Sequence, residues 1–263
     1  GFDVANDADD ADQPPEFLII DAETQVLNLS LKRRFGDRFE LGIDVPYVRH
    51  SGGNFDSLIY NFHDFIGLSN SMRDGPDDQF RLLFERDGVT YLDLLSPESG
   101  IGDVQLTGAM RFGSFTLRGA VKAPTGDAEK LTGSGAMDVS LGIHGGGTGT
   151  LFSRDLSYSG FAGVLALGDG DVMPEFQRSV VPYAGAALRW HVTPRLALAT
   201  QLYAQGSYFD IDLDELGGNT FQLTFGGDYV FPKQKLLLRL AIAEDIAAAA
   251  APDFALHLSI RKF

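Results

Sequence analysis

The sequence predicts an all-β fold, a transmembrane antiparallel β-barrel of about twelve strands, with one short amphipathic helix in a long extracellular loop. Three observations predict it. Segments of about ten residues alternate apolar with polar or small side chains, most plainly over 38–47. There Phe39, Leu41, Ile43, Val45 and Tyr47 interleave with Arg38, Glu40, Gly42 and Asp44. A period of two is a strand with one apolar and one wet face. The links between these segments are alternately very short and long, and the long ones are acidic. Finally, no run approaches the roughly 18 apolar residues of a membrane helix, although 44% of the 263 residues are hydrophobic. Lumen-facing residues at every second position of a barrel strand produce that combination.

Taken in order, residues 1–6 are expected to preserve a first strand in part, before the acidic stretch Asp7 to Pro15. The second strand, 16–35, sets Leu27, Leu29 and Leu31 against Asn28, Ser30, Lys32 and Arg34. Gly36-Asp37 is read as a two-residue turn into the third strand. Residues 101–112, the turn Gly113-Ser114, and 115–124 repeat the arrangement, with Val104, Leu106, Met110 and Phe112 outward and Asp103, Gln105, Thr107 and Arg111 inward. Met137, Val139, Leu141 and Ile143 then alternate with Asp138, Ser140, Gly142 and His144. The pattern of 156–168 is weaker. Strands at 180–190 and 195–205 meet across His191 to Pro194. An aromatic face follows in Phe221, Leu223, Phe225, Tyr229 and Phe231, then Leu236, Leu238, Leu240 and Ile242, and finally 253–263.

An even strand count puts both termini on the short-turn side, periplasmic in bacterial barrels, and the acidic loops outside. Phe35, Phe39, Phe112, Phe115, Trp190, Tyr229 and Phe231 bracket the short turns, as amphipathic rings do at a membrane interface. A soluble β-sandwich also alternates but has no reason to gather short turns and aromatics at one end. The chain begins at Gly1 without a charged-then-apolar leader, so a signal peptide is expected to have been removed. The whole reads as a single domain, 1–263, located in the bacterial outer membrane.

A formal charge of −15 from 21 Lys+Arg and 36 Asp+Glu argues against nucleic acid, whose binders neutralise phosphates. With no cysteine, disulfides, Cys-ligated metals and thiol nucleophiles are excluded. Neither a metal nor a cofactor is expected.

Parity places Lys32, Arg34, Arg38, Arg111, Arg118, Lys122, Arg189, Arg195, Arg239 and Arg261 on the interior face, beside Glu40, Asp44, Asp103, Asp138, Asp228 and Asp245. The lumen is thus mildly basic while the negative charge lies mostly elsewhere. Such a lumen favours anions; the same charges also suit a wall of interlocking ion pairs. Arg111, Arg118, Lys122, Arg189 and Arg239 are the candidate pore-lining residues, with Tyr183 and Tyr203 as stacking surfaces.

The loop 51–99 abandons the period of two. Phe55, Leu58, Ile59, Phe62, Phe65 and Ile66 fall at helical spacing over 54–68, with Asn54 as N-cap and Gly67 near the end. This apolar face is the candidate constriction. A hairpin is expected across Glu85-Arg86-Asp87-Gly88. An enzyme reading would use His50-Ser51 in lipid hydrolysis, but strand neighbours point to opposite faces, and no catalytic residue is assigned. His63-Asp64 is read as a polar helix face. Asp210-Ile211-Asp212-Leu213-Asp214 opens like a calcium loop, yet Glu215 stands where glycine is needed and Phe221 where the bidentate glutamate belongs.

Phe254 to Phe263 resembles the terminal strand of bacterial outer-membrane proteins, which the assembly machinery reads. Phe254, Leu256, Leu258 and Ile260 share a parity that Phe263 does not, which a bulge near Arg261 or a ring turned to the rim would reconcile. Leu41 to Gly53 with Arg49-His50-Ser51-Gly52-Gly53, Asn61 to Leu68, and Gly168-Asp169-Gly170-Asp171-Val172-Met173-Pro174 resemble a family of uncharacterised proteobacterial outer-membrane proteins. Lys122-Ala123-Pro124-Thr125-Gly126 with Gly133-Ser134-Gly135 is similar to a segment of FadL-like and phenol-pathway channels. The expected function is passive diffusion of a small-molecule solute across the outer membrane, with the bilayer and lipopolysaccharide as surroundings. A lipid-modifying hydrolase and a closed structural or adhesive barrel are the alternatives.

Overall fold

The structure, a computed structural model, describes residues 2–13 (as backbone), 16–52, 80–246 and 254–263. The expected helix 54–68, with Phe55, Leu58, Ile59, Phe62, Phe65 and Ile66, lies outside the described residues.

The described residues form a fifteen-stranded antiparallel sheet. Its strands are β1 (Phe2–Gln13), β2 (Glu16–Phe35), β3 (Phe39–Ser51), β4 (Arg81–Arg86), β5 (Val89–Leu94), β6 (Glu98–Ile101), β7 (Gln105–Phe112) and β8 (Phe115–Lys122). They continue as β9 (Asp138–Leu151), β10 (Arg154–Ala166), β11 (Val180–His191), β12 (Leu196–Gln205), β13 (Thr220–Phe231), β14 (Leu236–Asp245) and β15 (Phe254–Lys262). Helix among the described residues is confined to a 3₁₀ turn, Pro174–Phe176, and one α-helical turn, α1 (Asp214–Gly217).

Consecutive strands from β7 to β15 pair with one another, β15 also pairs with β1, β1 with β2, β2 with β3 and β3 with β7. Residues 7–13 of the acidic stretch are strand: β1 pairs with β2 from Phe2↔Leu27 to Gln13↔Glu16. Residues 2–6 are shared between β15 and β2, and 7–13 continue the ladder with β2 alone; a ladder satisfies backbone N–H and C=O groups whatever the side chains are, so the acidic composition did not prevent it. Residues 156–168, the weaker pattern, lie largely in β10, one of the most completely paired strands.

The alternation becomes two faces. Leu27, Leu29, Leu31, Leu41, Ile43, Leu106, Met137, Val139, Leu141 and Phe225 are all exposed on one; the basic and acidic residues of the same strands stand on the other. On the apolar face the aromatics gather at the short turns. Phe112 and Phe115 rings lie 6.2 Å apart, Tyr229 and Phe231 4.8 Å, and Phe152 meets Trp190 at 6.1 Å. Trp190 Nε1 donates to the Leu151 carbonyl at 3.1 Å.

Several expectations are corrected. Three residues, not two, link Phe35 to Phe39. The segment 101–112 is two strands: β6 and β7 both pair with β3, and 102–104 leave the ladder. Gly102 N–H reaches the Pro46 carbonyl at 2.9 Å, while the Asp103 carboxylate accepts from Gly126 N–H and Ser134 N–H, both at 2.9 Å. These bonds at one carboxylate outweigh continuing the ladder. In β15 the pairing with β14 runs to Lys262 without a bulge, and Phe263 N–H bonds the Lys235 carbonyl at 3.1 Å beyond it. The β4–β5 hairpin forms as expected, with Asp87 at φ 53° and Gly88 at φ 77°, the two positive φ angles of a type I′ turn.

At the long-loop end the polar face gives way to an apolar cluster. Leu18 of β2, Phe84 of β4, and Met173, Ile211 and Leu213 from the loops after β10 and β12 are buried together, with Tyr91, Phe176 and Phe209 packed around them. β2 and β4 are far along the sheet from β10 and β12, so the cluster joins distant walls. Arg86 caps it, 3.0 Å from Glu16 and 5.5 Å from the Phe176 ring centroid.

Candidate functional site

Among the described residues the polar face carries cavities of about 350 to 450 Å³, the size of small-ligand sites. Register decides which side chains meet there.

Nearest the long loops, Lys122 at the end of β8 holds two carboxylates, Asp103 at 3.0 Å and Asp138 at 2.5 Å, and bonds the Ser134 hydroxyl. Asp138 also accepts from Gly168 N–H at 3.1 Å. The segment 122–135 is thereby pinned: Gly126 and Gly133 approach so closely that a Cβ on Gly126 would stand 2.7 Å from Gly133 Cα. The loop 168–174 docks on it through Asp171 N–H to Ser134 O at 2.9 Å, which positions Met173 in the apolar cluster. Tyr208, between β12 and β13, lines the cavity beneath; burial pushes its phenol above the ordinary value, so it is neutral and a donor at pH 7.

Mid-strand, two cross-strand rows alternate large with small. One runs Arg118, Gly142, Gly163, Tyr183, Gln205; the next runs Thr116, His144, Phe161, Gly185, Tyr203. A Cβ on Gly163 would lie 2.5 Å from Tyr183 Cζ and one on Gly142 2.6 Å from its hydroxyl, so the Tyr183 ring lies flat across both glycines. Phe161 lies over Gly185 in the same way, 5.2 Å from the His144 ring and 6.2 Å from Tyr203. The rings therefore tile the wall and leave a cavity of about 390 Å³ before them, which Arg118 also borders. Gly163→Val should drive the Tyr183 ring off the wall. The expected cost is about 1–3 kcal/mol in unfolding experiments, as for other overpacked sites, and an unchanged Tm would show that the ring is free to yield.

Toward the short turns, Arg34, Arg38, Arg111 and Arg118 share a cavity of about 450 Å³ with Glu40. Glu40 pairs with Arg34 at 3.1 Å and Arg118 at 3.8 Å. A separate cluster joins Asp228, 4% exposed, to Arg239 through two bonds at 2.7 and 3.0 Å and to Arg189 at 2.8 Å.

The seven predicted lining residues thus stand on one face but in separate groups: Arg111 with Arg118, Lys122 alone between two acids, Arg189 with Arg239, and Tyr183 with Tyr203. Asp103 and His144, already on the wet parity in the sequence, join them, as do Phe161 and Tyr208, which the sequence pattern had not singled out. Phe161 shares the inward parity of β10, and the Gly142, Gly163 and Gly185 positions opposite the rings are its only trace in the sequence. His50 spends both ring nitrogens, Nδ1 on the Thr24 hydroxyl at 2.9 Å and Nε2 on the Leu131 carbonyl at 3.0 Å, so neither is turned to Ser51. Asp210 of the aspartate-rich loop pairs with Arg178 at 2.5 Å.

Among the described residues, an antiparallel sheet with an exposed apolar face, a cavity-bearing polar face and almost no helix is an architecture found in outer-membrane β-barrels. It is similar to the COG4313 outer membrane channel from Pseudomonas putida F1, with a TM-score of 0.61 and 18% identity over 98% of this chain and 91% of that one. CdiB from Acinetobacter baumannii aligns at a TM-score of 0.41 and 9% identity, over 93% of this chain and 42% of that one. No curated protein matches the sequence. The chain belongs to the family described as "Protein of unknown function (DUF3187)", whose model matches residues 11–263.

Proposed function

We propose that the chain is a single outer-membrane β-barrel domain of twelve strands, a channel for passive diffusion of small molecules through a mildly basic lumen that the long loop restricts. The observation that carries this reading is the pairing of faces: a polar face with cavities backed by an exposed apolar one. Leu29 and Leu31 are 73% and 71% exposed, and burying each such side chain is worth roughly 1.5–3 kcal/mol. Such side chains recur on strand after strand, which suits a bilayer rather than water. The succession of pairings that leads from β1 through β2, β3 and β7 to β15 and back to β1 supports closure, which removes the sheet's edges as a lipid environment demands. Twelve strands place the termini and short turns in the periplasm and the acidic loops outside, against lipopolysaccharide. The regular strand β15 would be the assembly machinery's signal.

In this reading Arg111, Arg118, Arg189 and Arg239 set the lumen's field, while Lys122 is balanced locally and Tyr183 and Tyr203 offer stacking faces. Changing Arg111 and Arg118 together to glutamine should lower anion preference in planar bilayers, read as a shift of the reversal potential under a salt gradient; no shift overturns the assignment. The apolar cluster around Phe84 favours a second reading, a closed structural or adhesive barrel, whose mark is absent conductance both in the native protein and after the cluster is disrupted.

A further inference from the structure

We propose that the tiled wall and Arg118 form a binding site for a planar aromatic monocarboxylate. The inference deepens the channel reading and rests on it for the site's access, but not for its chemistry.

Side chains on the inner face of a strand normally stand away from the wall and present edges. Here Tyr183 and Phe161 lie down because the neighbouring strands offer Gly142, Gly163 and Gly185 at their tips, and the π faces are turned toward the cavity. With Tyr203 they make a row of neighbouring rings, 6.3 and 6.2 Å apart between centroids and tilted by 48° and 32° to one another, an aromatic surface that favours stacking or edge-to-face contact with a planar ring over packing of a puckered one. The cavity's volume of about 390 Å³ accommodates one or two rings.

The charge comes from the same register. Arg118 is the cross-strand neighbour of Gly142, and the Tyr183 hydroxyl lies over Gly142 from the other side. A carboxylate set between the guanidinium and the phenol O–H would accept from both, while its ring rests on Tyr183 and Phe161. Around this point Lys32 is offset by Asp44 at 3.9 Å and Glu40 serves both Arg34 and Arg118, while Arg38 and Arg111 border the adjoining cavity, so the charge beside Arg118 is net positive. A negative charge on the ligand is favoured in that field.

The test uses the full-length protein in deuterated detergent, with binding read by saturation-transfer NMR and competition for benzoate, cyclohexanecarboxylate and benzyl alcohol. Benzoate should bind about tenfold more tightly than either analogue, the size of one aromatic pair or one charge-assisted bond. Phe161→Leu with Tyr203→Leu should abolish the advantage over cyclohexanecarboxylate and keep that over benzyl alcohol; Arg118→Gln should do the reverse. Equal binding of benzoate and cyclohexanecarboxylate, no benzoate binding, or an Arg118→Gln variant that discriminates as before would each overturn the site. KCl conductance of the same preparation, measured separately, decides the channel reading.

Discussion

Replacing Lys122 with methionine is expected to be among the most damaging single changes on the polar face. The ammonium neutralises Asp103 and Asp138 at 3.0 and 2.5 Å, and both carboxylates are buried. Removing one partner of a buried ion pair costs about 3–5 kcal/mol because the remaining charge is stranded, and here two carboxylates would be stranded beside each other. Unfolding followed by the gel mobility of heated and unheated samples should show that loss. Adding Asp138→Asn should restore part of it, because the residual repulsion is removed. Lys32→Met is the control: its 3.9 Å contact to Asp44 is far more exposed and should cost under about 1 kcal/mol. Equal losses in the two variants would show that the clamp is not a distinct structural element.

Phe84→Asp is expected to give the largest functional change, a severalfold rise in single-channel conductance. Phe84 is 0% exposed at the centre of the cluster that joins β2 and the β4–β5 hairpin to the loops after β10 and β12. Its ring contacts Tyr91 and Phe176 at 5.9 and 5.8 Å. A carboxylate there must hydrate, since burying it unpaired costs several kcal/mol. The hairpin and loops hold fewer strand pairings than the wall, so this local region should open before the sheet does. Conductance indistinguishable from the native value, with the variant folded, would show that the cluster does not obstruct the path.

Much of this architecture is written in the period of two. Leu29, Leu41, Leu106 and Val139 stand on the exposed apolar face, and Arg111, Arg118, Arg239 and Tyr183 on the polar one, as parity requires, because successive strand side chains point to opposite faces. The type I′ turn at Asp87-Gly88 was legible for an equally local reason: two positive φ angles favour few residue types. The break at 102–104 was not, since Val104 and Leu106 keep the alternation unbroken. What ends the strand there is the Asp103 carboxylate meeting backbone donors of Gly126 and Ser134, more than twenty residues away.

The candidate site divides along the same line. Sequence alone determined the family, the two faces and which residues share the wet one, because these follow from composition, motif and a period that each strand carries by itself. Tertiary structure decided the partners. It placed Lys122 between two acids, Arg189 and Arg239 on one aspartate, and Tyr183 flat on Gly142 and Gly163 beside Arg118. Cross-strand register determines those meetings, and register is a relation between strands that no single strand encodes.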